Sequence, residues 1–352
     1  MPIERIVRYD PSLAAAPLFQ PVWRGDRPKL NLTFQFNGVS WRWRGPEQLG
    51  IAEQTLLLVL LELAAEQSTC AASGDEQTRQ IESALYDFGE VRRPPTARLT
   101  VSFYDLCRRV GRGVGGSAMS QRRAELQRLC EVTVWARQED GMEFQSRLLT
   151  WQVGNHKGVT VLLNWRLTEV LFGGQFSTVS LNERLDLRSE CARALHCALS
   201  LRIRPGKTMA FHLDNLAKYI WSEVQTRSVR GRHRGCIESE SPAAIALRRR
   251  RKELDIAVAE IAALPAWTVK TTAQGAIQFS RRSSGTARDI APFQGGARHA
   301  TAETSASSCM NRPTAVVRET GIWQLFARDE AIPGGKVPFV VDLHGILTHP
   351  TQ

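Results

Sequence analysis

At 352 residues the chain has room for two or three domains with sizeable cores. Its 46 Lys and Arg against 35 Asp and Glu give a formal charge of +11, which favours a polyanionic partner. The seven Cys form no C-x-x-C pair, the longest apolar run (Leu56–Leu61) is far too short to span a bilayer, and no secretory apolar segment opens the chain. These features argue against a disulfide scaffold, a zinc site and a membrane partner, and a soluble cytoplasmic protein is expected.

Residues 1–49 read as a basic leader (Arg5, Arg8, Arg24, Arg27, Lys29) running into an alternating segment, Leu30–Arg44, with a hairpin turn at Asn37-Gly38. A long helix is expected from Gly50 to Glu66, then a polar, irregular insertion over 68–96. From Arg98 the pattern gives a short strand, a helix at Phe103–Val110, a glycine-rich turn and a second helix from Ser117 to about Cys130. Two strands follow, Val132–Gln138 and Met142–Val153, joined by Glu-Asp-Gly. That order predicts a winged helix-turn-helix over residues 50–172, closed by a strand and helix at Val159–Val170, with Gly173-Gly174 as the joint. On the second helix Met119, Leu126, Leu129 and Cys130 take the inner face, which leaves Ser117, Ser120, Gln121 and Arg128 outside. Gln pairs with adenine and Arg with guanine in the major groove, whereas Ser mostly positions on phosphate. A first domain used chiefly for protein–protein contact is the other reading of this surface.

Residues 175–281 repeat the plan. A helix at Arg188–Arg202 leads to a turn at Pro205-Gly206-Lys207 and a short amphipathic helix at His212–Trp221. A basic loop over 222–240 carries Arg227, Arg230, Arg232 and Arg234, and reads either as a phosphate-tracking arm or as a plain insertion. The helix Ser241–Leu264 has Ser241 at its N-cap and Pro242 at its first position. Leu247, Leu254, Val258 and Ile261 fall on one face. At about 100° per residue Ile245, Arg248, Arg249 and Lys252 point away from it, with Arg250 and Arg251 on its flanks. Two strands with a Gln-Gly turn (Ala266–Arg281) complete a second winged helix-turn-helix, in which the basic helix is the candidate DNA reader. The competing reading of that helix is a solvated basic face. Residues 282–352 have the composition of a disordered tail with at most one weakly ordered element.

The fold class expected is therefore α+β, two tandem winged helix-turn-helix domains with a disordered C-terminal tail. Gly111-x-Gly113-x-x-Gly116 has the letters of a dinucleotide fingerprint, but a helix precedes it where a strand is required. Pro205-Gly206-Lys207-Thr208 resembles the end of a P-loop, yet Leu201 stands where a glycine is needed, so Lys207 reads as a phosphate contact beside a turn. No His, Cys or carboxylate spacing suggests a catalytic, metal or cofactor site. A non-enzymatic DNA-binding protein is expected.

Several segments also carry a family resemblance. RYDPSLAAAPLF (8–19), RGPEQLG (44–50), VLLNWRLTEVLFGGQFSTVSL (161–181), ARALHCALSLRIRPGKT with LDNLAKYIW (192–221) and the basic run ending in ALPAWTV occur in an order and spacing that resembles replication protein C of IncQ-type plasmids. The resemblance implies two winged-helix domains that bind directly repeated origin sequences (iterons) in double-stranded DNA. It also implies opening of adjacent A·T-rich DNA and recruitment of the plasmid's helicase and primase, and leaves self-association open. The 222–240 loop is longer than the family pattern, and nothing beyond about residue 280 has a counterpart. A winged-helix transcriptional repressor is the alternative.

Overall fold

The computed structural model describes residues 4–22, 27–67, 96–111, 113–139, 141, 143–153, 158–172, 174–222 and 242–283. The basic loop with Arg230, Arg232 and Arg234, the cap residue Ser241, and the tail from 284 onward lie outside them, as does the 68–95 insertion. The chain starts with β1 (Ile6–Tyr9) and the one-turn helix α1 (Pro11–Ala15). Asp10 caps α1 by accepting the backbone N–H groups of Ser12 and Leu13. β2 (Phe19–Gln20) leads towards the hairpin of β3 (Leu30–Phe36) and β4 (Val39–Gly45). Asn37 and Gly38 both take positive φ there, as a two-residue hairpin turn requires. The expected leader is thus part of the body: Val7, Tyr9 and Leu18 are fully buried.

After β5 (Leu49–Gly50), α2 (Ile51–Gln67) is apolar on every side, and Leu56 through Leu61 are completely buried. Such a helix has to be wrapped by other elements. Those elements are β6 (Ala97–Ser102), α3 (Phe103–Arg109) and α4 (Gly116–Cys130), together with β1. β7 (Thr133–Arg137) and β8 (Glu143–Arg147) come next, then β9 (Leu149–Val153), β10 (Gly158–Leu163) and α5 (Trp165–Phe172).

Here the strand pair expected as the first domain's wing has to be corrected. The segment Met142–Val153 is two strands, not one. β8 pairs with β7 and joins the N-terminal hairpin in a sheet of order β3-β4-β7-β8, whereas β9 pairs with β10 in a sheet of order β6-β10-β9. Leu148 and Leu149 are adjacent and both buried, which breaks the period-two alternation that one strand on one sheet would keep. The strand expected to close the domain, β10, is therefore the second strand of the pair that returns to β6.

The second half runs β11 (Ser177–Ser180), α6 (Leu181–Asp186), α7 (Glu190–Arg202), β12 (Thr208–Phe211), α8 (Leu213–Ile220), α9 (Pro242–Ala262), β13 (Trp267–Thr271) and β14 (Ile277–Arg281). Its three-stranded sheet has the order β12-β14-β13. The same sequence of elements thus appears twice, helix, strand, two helices and a strand pair whose last strand is in the middle of its sheet, with β7 and β8 inserted before the pair in the first copy. One hydrophobic core runs through both repeats, and β11 pairs antiparallel with β1. At Gly174 the backbone leaves no room for a side chain: its N–H donates to the Glu169 carbonyl at 2.6 Å, and a Cβ would lie 2.9 Å from that oxygen. Among the described residues no helix is long and apolar enough to cross a membrane.

Inside the second repeat the base of the β13–β14 pair is tied to α7 by a buried polar cluster. His196 Nε2 and the Trp267 indole N–H both meet Glu183, at 2.8 and 3.1 Å, and the Arg281 guanidinium lies 5.5 Å from the Trp267 ring centre. Burial holds the His196 imidazole below its ordinary value of 6.5 despite Glu183, and Arg184 and Arg281 push the same way. Burial alone would raise Glu183, but bonds from His196 and Trp267 and the charge of Arg281 bring it below the usual carboxylate value. Both groups then bind fewer protons folded than unfolded at acid pH. Stability is full above the unfolded histidine value and falls as pH drops through it towards the depressed one. Thermal midpoints should decline between about pH 7.5 and about pH 5.5, with a flatter profile in His196→Gln. A wild-type midpoint that rises on acidification over this window would contradict the assignment.

Candidate nucleic-acid interface

Helix α9 is buried towards its C-terminal end, and its described side chains ahead of that are mostly exposed. Leu254, Ala257 and Ile261 are buried, and the Glu260 carboxylate accepts the backbone N–H groups of Arg188 and Ser189 ahead of α7, at 2.6 and 3.1 Å. Leu247, expected on the buried face, is 48% exposed: among the described residues no element covers it. Ile245 is exposed as expected, and Ile256, which the sequence reading did not single out, extends the same face.

The five consecutive basic residues separate into two groups. Arg250 lies over the Trp221 ring, 5.3 Å from its centre, and burial lowers its pKa. Arg251 reaches Asp214 on α8 at 3.2 Å. Arg248, Arg249 and Lys252 stay at the surface, with Arg249 3.6 Å from Glu253. The two flanking arginines therefore fasten the helix to α8, and the other three present charge to solvent. Asp255 is exposed one turn further on, so the cationic surface ends before it.

The turn between β13 and β14 spans Thr272–Ala276 and depends on Gly275 at φ 74°. It adjoins the end of β12 that leads into α8, since Phe211 pairs with Ile277. Arg251 meets α8 at that same end, through Asp214. Lys207 is exposed but sits beyond the opposite end of β12, where its backbone pairs with Arg281. With about 3.4 Å per strand residue, a four-residue strand separates Lys207 from the turn and from the basic half of α9.

On α4, Ser117, Ser120 and Gln121 are exposed as expected. Met119 is only partly covered. Arg128 requires correction. Its Nε donates to Glu53 at 2.6 Å, and Glu53 is fully buried at the start of α2, where it also receives Arg27 and the Gly50 N–H. The buried carboxylate draws the guanidinium inward, so Arg128 locks α4 to α2. Arg128→Ala should lower stability by about 2 kcal/mol, less than a fully broken buried pair because Arg27 and Gly50 remain. The urea midpoint measures this, and the ratio of specific to random DNA binding should not move. In place of Arg128 the structure offers Arg123, which is exposed with its guanidinium 5.5 Å from the Trp151 ring centre on β9. Its sequence signal was weak, since it sits between the polar stripe and the buried one.

The glycine turn between α3 and α4 is open. Gly111 has φ 73°, and a Cβ placed on Gly113, Gly115 or Gly116 would meet nothing within 4 Å. The turn follows a helix, so it lacks the strand that a dinucleotide loop needs.

The family model for replication protein C (RepC) matches residues 4–283, which takes in both repeats. The chain belongs to the replication protein C family. Within this RepC chain the match runs through α4, α9 and both three-stranded sheets. A search of the curated proteins gave no match. Among solved structures, a crystal structure of selenomethionine derivatives of domains 2 and 3 of RctB is similar, with a TM-score of 0.43 at 12% identity over 78% of this chain and 98% of that one. A second crystal structure of RctB domains 2–3 gives a TM-score of 0.42 at 11% identity, over 77% and 96% of the two chains.

Proposed function

We propose that this RepC chain is a cytoplasmic, non-enzymatic initiator of IncQ-type plasmid replication, built on two winged helix-turn-helix units that bind directly repeated origin sequences. Helix α9 is the principal reader and α4 the second. The observation that carries the reading is an anchored helix with an exposed cationic stretch: Leu254, Ala257, Ile261 and Glu260 hold one half of α9, and Arg248, Arg249 and Lys252 are exposed on the other. A rigid helix of that width fits a major groove, and guanidinium and ammonium groups on it can reach guanine edges. The repeated order of helix, strand, two helices and a strand pair is the order of a winged helix. Exposed Ile245 and Ile256 suit contact with thymine methyl groups. In this reading phosphate contacts supply most of the affinity, and binding opens neighbouring A·T-rich DNA for the plasmid's helicase and primase.

The test is a footprint of the full-length protein on its cognate plasmid origin. Protection of several phased direct repeats, with hyper-reactive bases in adjacent A·T-rich DNA, is the expected outcome. Protection of a single operator without distortion would support a repressor instead.

A further inference from the structure

The four-stranded sheet β3-β4-β7-β8 has one face committed to the core and one open. Trp41, Trp43, Val134 and Ala136 point inward and are buried. On the other face the register aligns Thr33, Arg42, Trp135 and Gln145 in one straight row across all four strands. The row on one side contributes Arg44 and Arg147, and the row on the other contributes Arg137, which pairs with Glu143 at 3.2 Å. Four arginines thus face one carboxylate. The Trp135 indole N–H donates to Gln145 at 2.9 Å, and the Arg42 guanidinium is 6.0 Å from the ring centre. Around Trp135 the surface forms a depression of about 730 Å³, lined by Arg42, Gln145 and Thr33 among others.

We infer that this sheet face is a binding platform for single-stranded nucleic acid, separate from the duplex-reading helices. Charge complementarity selects a polyanion, and the width of the sheet selects its form. Four strands about 4.8 Å apart place the outer two roughly 14 Å from each other, wider than the ~12 Å major groove, which admits a helix or a two-stranded ribbon. The face is therefore too wide for the major groove of an undistorted duplex. An unpaired strand can lie across it, with a base stacked on Trp135, phosphates on the arginines and base edges bonded to the amide of Gln145. Because the indole is already oriented by Gln145, it loses little freedom on stacking. The inference does not depend on the role of α9.

The test uses the full-length protein and two probes, a fluorescein-labelled oligothymidylate of about 16 nucleotides, the upper site size of a single-strand-binding OB fold, and a blunt duplex of one origin repeat. Wild type is expected to bind the oligothymidylate. Trp135→Ala and the pair Arg42→Gln with Arg44→Gln should each weaken that binding about tenfold, Trp135→Phe should retain most of it, and duplex binding should hold. Absence of wild-type binding, as would be seen if an acidic protein were the true occupant, overturns the inference. So does unaltered binding in the variants, or an equal loss on both probes. Thermal melts check folding. If Trp135→Ala does not fold, the exposed arginine pair decides. Arg249→Ala with Lys252→Ala should lose the duplex and keep the single strand, so failure of the duplex reading and failure of the platform are told apart.

Discussion

Arg249→Ala or Lys252→Ala is expected to cost about 1–3 kcal/mol on the cognate repeat and much less on scrambled duplex. Both side chains stand on the exposed half of a helix whose other half is anchored, because Leu254, Ala257 and Ile261 are buried and Glu260 holds the backbone ahead of α7. A rigid mount is what converts a cation near DNA into a reader of base edges, since the side chain arrives at a fixed height in the groove. Arg250→Ala should behave differently: its guanidinium rests on Trp221, so the loss is of local stability, with equal weakening on both DNAs. Phosphate-only contacts reveal themselves in salt dependence, with a slope reduced by roughly 0.9 per contact removed. Binding of each variant to repeat and scrambled duplex across a salt series separates these cases. Equal losses for Arg249→Ala and Lys252→Ala on the two DNAs would move specificity to α4, where Ser117, Ser120, Gln121 and Arg123 are exposed.

The largest effect on stability is expected at Arg184. This arginine of α6 is completely buried and joins the two repeats. Its guanidinium donates to the Gln54 side chain and the Ile51 carbonyl on α2, at 2.8 and 3.4 Å, to Thr55 at 3.2 Å, and to the Arg193 carbonyl on α7 at 2.8 Å. Burial lowers its pKa to about 10, so it stays charged at neutral pH among neutral acceptors. Arg184→Ala removes a large buried side chain and leaves several acceptors without a donor, and should cost about 3–5 kcal/mol. Arg184→Met fills most of the volume and no longer buries a charge, so its cost should be smaller, about 1–3 kcal/mol from the acceptors left behind. Urea unfolding measures both, and a drop in the slope for the Ala variant would show that the repeats had ceased to unfold as one. An Arg184→Ala protein as stable as wild type would mean that the contacts seen at this position contribute nothing.

Much of this was legible along the chain. The apolar run of α2, the Asn37-Gly38 hairpin, the helices α3, α4 and α9 and the Gln-Gly turn of the last strand pair are all local patterns, set by periodicity, caps and turn residues within a window of about 20 residues or fewer. The separation of Arg250 and Arg251 from Arg248, Arg249 and Lys252 followed from helical geometry alone. Family membership was legible too, from segments whose order and spacing span both repeats.

Other features depended on partners that the local pattern cannot name. Arg128 lies on the outward side of α4 by periodicity, yet it turns to Glu53, 75 positions earlier, because that carboxylate is buried and must be matched. Leu247 satisfies the apolar spacing but is exposed, since periodicity says which face a residue occupies and not how far the covering element extends. The assignment of β8 and β9 to different sheets turned on two adjacent leucines, Leu148 and Leu149, both buried where one strand on one sheet would bury only one of them. Periodicity, caps and turns are short-range, and the sequence by itself determined them. Burial and pairing are long-range, and only the tertiary structure decided which charges face solvent and which hold the fold.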